Sequence, residues 1–248
     1  EQLIGGSILT FPAGFTQKDN MKSLATERGD KRRGRNHIQS RKQCKWATLE
    51  LLINLGMCPL SMEELDKWRK YDKNADIKHP YPTSQLFRAW LKCDFNNDGK
   101  PDFSMFELRN NLAIDKGIDL STTIGKLMLG RIVYHMAIHR GFRSSKGDRA
   151  NENQENRGID EHEDLKGAEE GKAKEIKNIM QSYNLPTIGC ALYYLNNIQK
   201  ERIRASKYTI IAKQNKQELE YIFNINEISL INNNFHFTYE NAFRGYVC

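Results

Sequence analysis

The feature that most constrains the fold is a proline-free stretch from about Leu24 to Leu55. Lys and Arg dominate its first part, and the apolar sequence WATLELLINL closes it just before Gly56 and Pro59. A run of this length without proline, followed by glycine and proline, is typical of a single helix. The sequence therefore predicts one long helix that is charged first and apolar last.

The net positive charge of the chain is concentrated in this stretch. Between Lys22 and Leu49 there are nine basic and two acidic residues, so the segment carries a net charge of +7, which equals the net charge of the whole chain. A protein that is basic only for solubility would spread its charge along the sequence. The concentration therefore indicates a local site for a polyanion.

Most of these basic residues fall on one face of the predicted helix. At 100° per residue, six of them lie within an arc of about 140°, whereas Arg33 and Arg41 lie outside it. The six are Arg28, Lys31, Arg32, Arg35, Lys42 and Lys45. Such a face suits a phosphate backbone, because guanidinium groups pair with phosphate oxygens and counterion release supplies much of the binding energy. The alternative is a solvated charged face, and the charge density favours nucleic acid.

The rest of the sequence predicts shorter helices with buried aromatic faces. Ser61 followed by Glu64 has the spacing of a capping box at a helix start. The PYPTSQLFRAWLK segment predicts an apolar helix face, made by Leu86, Phe87, Trp90 and Leu91. Ala150–Gly171 has eight acidic and two basic residues and few apolar ones, so we interpret it as a solvated linker or insertion.

The loop sequence DFNNDGKPD matches the start of a calcium-binding loop. Asp94, Asn96 and Asp98 place side-chain oxygens at alternate positions, and Gly99 occupies the sixth position. The twelfth position, where such a loop has a bidentate Glu, is Met105. We therefore interpret the segment as a polar turn between two helices.

Two further motifs match known sites only in part. His135 and His139 stand at i and i+4 on a predicted helix, a spacing that zinc ligands use, but Met136 replaces the Glu of the metalloprotease pattern and no third ligand is evident. We interpret them as histidines that flank an apolar face. The Arg28-Gly29-Asp30 tripeptide lies inside the basic helix, so its match to an integrin-binding loop is attributed to chance.

The cysteines and the N-terminal residues indicate the cellular compartment of the protein. Five cysteines are scattered without a Cys-x-x-Cys pair, which indicates reduced thiols in a cytosolic protein. Leu3–Gln17 is uncharged, but glycines and a proline interrupt it and no basic segment precedes it, so neither a signal peptide nor a membrane span is predicted. Because the chain begins with Glu1, we expect that an N-terminal part is missing.

The order of the motifs resembles a known family. An arginine-rich helix, LLINLGMCPL, a Trp-containing helix, a proline-led FRAWL helix and GRIVYHMAIHRGFRSSKG follow one another, and RIRASKYT then leads into ELEYIF. In this order they resemble the bridge helix and the start of the recognition lobe of the type II CRISPR effector nuclease, Cas nine, in its smaller subtype. The resemblance spans nearly the whole chain and is weak or missing in the acidic insertion.

The resemblance implies that the chain holds a guide RNA and its heteroduplex with target DNA by backbone and shape, while base pairing reads the sequence. It implies guide-RNA phosphate contacts for the six basic residues on the helix face. It implies further RNA contacts where the chain matches the family's Arg-Gly-Phe stretch and Arg-x-Arg pair, namely Arg140, Gly141, Phe142, Arg143, Arg202 and Arg204.

The expected fold is mainly α, with a short N-terminal strand, a long arginine-rich helix and an irregular helical recognition lobe. Residues 1–20 would be a remnant strand and turn leading out of a missing split nuclease domain, and residues 21–55 the arginine-rich bridge helix. Residues 56–149 and 172–248 would be two helical parts of the recognition lobe, the second with an atypical C-terminal end. The acidic linker or insertion at 150–171 would separate them.

The chain departs from this family in what it lacks. We expect the nuclease aspartate, the His-Asn-His nuclease domain and the domain that reads the flanking DNA motif to be missing. No catalytic residue, metal site or cofactor is therefore assigned, and magnesium is expected only for the missing nuclease domains. After Tyr239–Ala242 the family continues with an aromatic pair and Gln-Arg-Pro-Leu, whereas this chain ends FRGYVC, which suggests a truncated product or a partial gene.

The expected function is binding of guide RNA and RNA–DNA heteroduplex without cleavage, as a fragment of a CRISPR antiviral endonuclease in a bacterial cytoplasm. The missing remainder of the nuclease is a further expected partner, and no membrane partner is expected. One alternative is a non-functional remnant of a truncated gene. Another is an unrelated basic helical DNA-binding protein.

Overall fold

The structure is a computed structural model, and it describes residues 23–78, 80–114, 119, 121–139, 174–203, 208, 210 and 212–225. These residues are mainly helical, as the sequence predicts, and no β-strand runs through them. The short strand predicted within residues 1–20 and the acidic linker predicted at 150–171 lie outside the described residues.

The helices, numbered in chain order, are α1 (Leu24–Asn54), α2 (Met62–Arg69), α3 (Gln85–Leu91), α4 (Met105–Ile114), α5 (Thr123–Ile138), α6 (helical over 174–182), α7 (Ile188–Tyr193) and α8 (Ala212–Ile225). A π-helical turn over Tyr194–Ile198 continues α7 directly. The long helix predicted from the proline-free stretch is confirmed. The chain divides into two compact units inside α1, since the first unit ends at Gln43 and the second begins at Cys44.

The described part of the first unit is the basic portion of α1. None of its side chains from residue 23 to residue 43 is buried. Short-range pairs stabilise the helix instead: Glu27 bonds to Lys31 at 2.7 Å, and Asp30 pairs with Arg33. Glu placed four residues before Lys is the favourable orientation on a helix, and such a pair contributes about 0.2–0.5 kcal/mol.

The C-terminal end of α1 is set by Gly56. Its φ is +65°, a conformation that glycine adopts without steric cost. The N–H of Met57 bonds to the carbonyl of Leu52 at 2.7 Å, and the N–H of Gly56 bonds to the carbonyl of Ile53 at 3.0 Å. These two bonds form a Schellman motif, which satisfies carbonyl groups that the helix end would leave unpaired. The predicted stop at Gly56 is confirmed.

The main core of the second unit is built from the apolar end of α1 and from helices α2 to α5 and α8. Its largest fully buried side chains include Leu49, Leu52, Leu65, Phe87, Trp90, Leu108, Leu129, Ile132 and Tyr134. A series of aromatic contacts crosses this core, with ring centroids 5.1 to 5.8 Å apart, through Trp68, Tyr81, Phe87, Trp90 and Tyr134. The predicted apolar face of α3 is confirmed at Phe87 and Trp90, which are buried, while Leu91 is only partly buried. It is wrong at Leu86, which is 57% exposed.

Helix α5 approaches the turn after α1 so closely that a side chain does not fit at Gly130. A Cβ atom at this position would lie 2.0 Å from the carbonyl oxygen of Met57. Because that atom belongs to the backbone, it cannot move aside as a flexible side chain could. The Gly of the GRIVYHM segment thus permits close packing of α5 against the LGMC turn.

A smaller core lies beside the main one. Its buried members come from α6, α7, the π-helical turn and one residue beyond it, and they are Ile176, Ile188, Ala191, Leu192, Leu195 and Tyr208. Thr187 starts α7 by accepting a hydrogen bond from the N–H of Cys190 at 3.3 Å. This core holds the π-helical turn in place from its buried side.

The capping box predicted from Ser61 and Glu64 is present at the start of α2. The N–H of Glu64 donates to Oγ of Ser61 at 3.2 Å, and the N–H of Ser61 donates to Oε2 of Glu64 at 3.4 Å. We expect Ser61→Ala to lower the free energy of unfolding by about 1 kcal/mol, because it removes the acceptor for an N-terminal N–H. Urea unfolding followed by circular dichroism measures this, with Ser40→Ala, at a partly exposed position inside α1, as the control. Equal effects of the two substitutions would contradict the capping role.

Candidate nucleic-acid interface

The predicted phosphate-binding residues of the first unit are largely accessible. Arg28, Lys31, Arg32 and Arg35 are exposed on α1, and Lys42 is partly buried, which lowers the pKa of its ammonium group. Within the described residues Arg32 and Arg35 make no ion pair, whereas Lys31 pairs with Glu27. An exposed, weakly paired guanidinium keeps its donors available for a phosphate.

Lys45 belongs to the second unit and has a different environment. It is partly buried, and its Nζ lies 6.0 Å from the ring centroid of Tyr81, at the limit of a cation–π contact. The next residue of α1, Trp46, makes two contacts. The guanidinium carbon of Arg69 lies 4.6 Å from the centroid of its ring, and its Nε1–H donates to the carbonyl of Leu65 at 3.3 Å. Trp46 thus packs against α2, and Lys45 lies beside Tyr81 in the segment before α3.

The other predicted RNA contacts are only partly within the described residues. Arg202 is exposed in the segment that follows the π-helical turn. Arg140, Gly141, Phe142, Arg143 and Arg204 lie outside the described residues. The contacts predicted for these five residues therefore stay predictions.

The DFNNDGKPD segment forms a closed polar turn between α3 and α4, as predicted. The two carboxylate oxygens of Asp94 accept backbone N–H groups, from Asp98 at 3.1 Å and from Gly99 at 2.9 Å. Asp102 accepts from Nδ2 of Asn96 at 3.0 Å. Gly99 has a φ of +89°, which a residue with a Cβ rarely adopts. Among the described residues, no three His, Cys, Asp or Glu side chains are grouped to hold a metal ion.

His135 of α5 and His139, which caps the C-terminal end of that helix, have ring centroids 4.6 Å apart. Burial lowers the pKa of His135 well below its usual value, and the positive charge of Arg109 lowers it further. Burial also lowers the pKa of His139. Nδ1 of His135 is buried and has no hydrogen-bond partner in the described part of the chain. Both imidazoles are therefore neutral at pH 7 and add no positive charge for phosphate binding.

The described cysteines are thiols without disulfide partners. Cys44 is partly buried, and Cys58, Cys93 and Cys190 are buried. Burial raises the pKa of Cys58 to about 12, so its thiol stays protonated. Cys248 lies outside the described residues.

A buried ion pair that the sequence did not reveal connects α4, α7 and α8. Arg109 of α4 donates from Nε to Oε1 of Glu218 on α8 at 2.8 Å, and its Nη2 donates to Oε2. Glu218 also accepts the N–H of Gly189 on α7 at 2.9 Å, and Asn215 donates to the carbonyl of His139 after α5 at 2.9 Å. Arg109 and Glu218 are each 2% exposed, so every polar atom of this pair needs its partner.

Arg131 is a second basic residue with a structural role. It is buried on α5, and its Nε and Nη2 donate to the carbonyl of Leu91 at 3.2 and 3.0 Å. These bonds satisfy a carbonyl at the end of α3, where no further turn of helix supplies an N–H to it. Arg131 therefore joins α5 to α3 and is not available to a nucleic acid.

An open groove of about 950 Å³ lies between α6 and α8 in the second unit. Its polar lining includes Lys174, Lys177, Gln214 and Gln217, and Tyr221 contributes an aromatic ring. Cations and carboxylates both line it, so the groove lacks the excess of positive charge that marks the exposed part of α1.

Comparison with known proteins identifies no relative of this chain. No protein-family model, no curated protein and no solved structure matches it. Within the described residues, no helix combines the length and apolar character needed to cross a membrane.

Proposed function

We propose that this chain binds the phosphate backbone of a guide RNA, and of its heteroduplex with target DNA, through the basic face of α1, and that it does so without cleaving either strand. The observation that carries the proposal is the exposure of Arg28, Lys31, Arg32 and Arg35 on one continuous helix. The CRISPR endonuclease family that the motifs resemble supplies the identity of the polyanion, and with it a bacterial cytoplasmic location.

The chemistry of this face favours a nucleic acid over small anions. Its basic side chains follow one another along more than two turns of helix, and α-helix rises 1.5 Å per residue. A repeating phosphate backbone can pair with several of these cations at once, whereas a single small anion can pair with one or two. Release of condensed counterions at each contact then supplies the binding energy.

The salt dependence of binding tests this proposal. If the six basic residues of the face met phosphates, the logarithm of the affinity would fall with the logarithm of the salt concentration at a slope of about −4 to −5. The measurement titrates labelled guide scaffold RNA, and random duplex DNA of equal length, at about 50 to 200 mM salt. We expect the steep slope together with tighter binding to the cognate scaffold.

Two outcomes would contradict the proposal in different ways. Equal affinity for the scaffold RNA and for random duplex DNA would exclude a guide-specific role and favour an unrelated DNA-binding protein. Failure to bind either one at moderate salt would favour a non-functional remnant.

A further inference from the structure

A pair of tyrosines on the second unit forms an accessible aromatic surface. The rings of Tyr183 and Tyr194 lie with centroids 4.2 Å apart and planes inclined by 35°. Tyr183 is 48% exposed, and Tyr194 is partly exposed. Large apolar rings that stay in contact with water while they pack on each other offer an outer face to a further planar group.

Tyr183 lies just after the end of α6, and Tyr194 lies where α7 passes into the π-helical turn. Tyr183 follows α6, where Asn184 has a φ of +50° and the N–H of Leu185 bonds to the carbonyl of Met180 at 2.8 Å, closing the helix. Tyr194 begins the π-helical turn, whose buried Leu195 anchors it in the smaller core.

Two basic residues come shortly after Tyr194 in the sequence. Lys200 and Arg202 are exposed directly after the π-helical turn, and neither makes an ion pair within the described residues. Lys200 has a φ of +56°, which turns the chain sharply at this point. The carboxylate between them, on Glu201, accepts a hydrogen bond from the hydroxyl of Tyr208 at 3.0 Å. The acidic side chain thus has a partner in the protein, while the two cations face solvent.

We propose that the Tyr183–Tyr194 pair stacks an unpaired base of a single-stranded nucleic acid, with Lys200 and Arg202 available to the neighbouring phosphates. Aromatic rings flanked by cations are the combination that single-strand binders use, because every base has a π-face and every nucleotide a negative charge. A docked protein would bury about 800 Å² per side, far more than two tyrosines offer. The inference rests on the proposed function and deepens it, because it adds an unpaired-base contact to the backbone contacts of α1.

Fluorescence of a single-stranded RNA that contains one 2-aminopurine tests the stacking directly, since stacking on an aromatic ring quenches this base. We expect wild-type protein to quench it, and Tyr183→Ala to abolish the quenching and weaken the affinity for single strands about 5- to 100-fold. Tyr183→Phe keeps the ring and should retain both. Tyr71→Ala, which removes another exposed tyrosine, should change neither.

The failure of this inference and the failure of the proposed function give different results. Full quenching and unchanged single-strand affinity in Tyr183→Ala, together with a steep salt dependence of duplex binding, would overturn the stacking site and leave backbone binding by α1 intact. Absence of nucleic-acid binding by the wild-type protein would overturn both. A circular dichroism spectrum of Tyr183→Ala that matches the wild type ensures that a loss of binding reports the ring.

Discussion

Replacing Glu218 by alanine is expected to lower the free energy of unfolding by about 3–5 kcal/mol, because it strands the guanidinium of Arg109 in the core without its counter-charge. The same substitution removes the acceptor for the N–H of Gly189. A natural domain has about 5–15 kcal/mol of stability in total, so this loss leaves the second unit marginally stable. Urea unfolding followed by circular dichroism measures the change.

The matched control is Glu220, which lies two positions after Glu218 on the same helix. Its carboxylate is exposed and 3.8 Å from Nζ of Lys216, so Glu220→Ala should cost less than about 0.5 kcal/mol. Replacing the buried pair jointly, by Arg109→Met and Glu218→Leu, should recover much of the lost stability, since neither apolar side chain leaves a charge unpaired. Similar losses for Glu218→Ala and Glu220→Ala would show that the buried pair is not what holds α4 to α8.

Removing four charges from the exposed part of α1 is expected to weaken RNA binding about a thousandfold near 0.1 M salt. Each lost phosphate contact reduces the slope of log affinity against log salt concentration by about 0.7–0.9, and four such losses amount to about three powers of ten at this concentration. The variant combines Arg28→Gln, Lys31→Gln, Arg32→Gln and Arg35→Gln. Glutamine is a good helix former, so α1 should persist. Titrations of scaffold RNA at several salt concentrations should show the slope reduced in magnitude by about 3.

The control variant removes the same number of charges elsewhere, by changing Lys67, Lys70, Lys73 and Lys78 to glutamine. All four side chains are exposed on α2 or in the segment after it. If net charge alone drives binding, both variants lose affinity equally, and the face of α1 is not a site. If the α1 variant alone loses affinity and slope, the placement of the charges is what matters.

Much of the local structure could be predicted from the sequence. The helical stretch that ends at Gly56, the capping box of Ser61 and Glu64 and the polar turn that starts at Asp94 all depend on residues within a few positions of one another. Such features are set by backbone conformation and by hydrogen bonds inside one turn, so their residue types and spacing are visible in the sequence.

The sequence was a weaker guide to which side chains are buried. Leu86 belongs to the predicted apolar face of α3 but is exposed to solvent, while Arg131 and Arg109 are basic and lie in the interior. The short helix α3 can bury only part of its surface, and the carbonyl of Leu91 and the carboxylate of Glu218 provide the partners that make the buried arginines tolerable. None of these partners is close in sequence to the arginine it binds.

The residues proposed to bind nucleic acid were also only partly predictable from the sequence. The cluster of basic residues between Arg28 and Lys45 is a property of the sequence, and a continuous helix is enough to place most of them on one face. The stacked pair of Tyr183 and Tyr194 cannot be read from the sequence, because the two rings meet only through the packing of α6 against α7 and its π-helical turn. No motif or spacing signals that contact in advance.

The sequence by itself determined that this protein is mainly helical, where the long basic helix α1 ends and where the net positive charge is concentrated. Only the tertiary structure decided which arginine side chains are buried in the core and which are exposed to solvent. The physical reason is distance along the chain: capping and charge spacing act over three or four residues, whereas Arg109 and Glu218 are 109 residues apart. Burial of a charge depends on such distant partners, which exist only once the helices have packed.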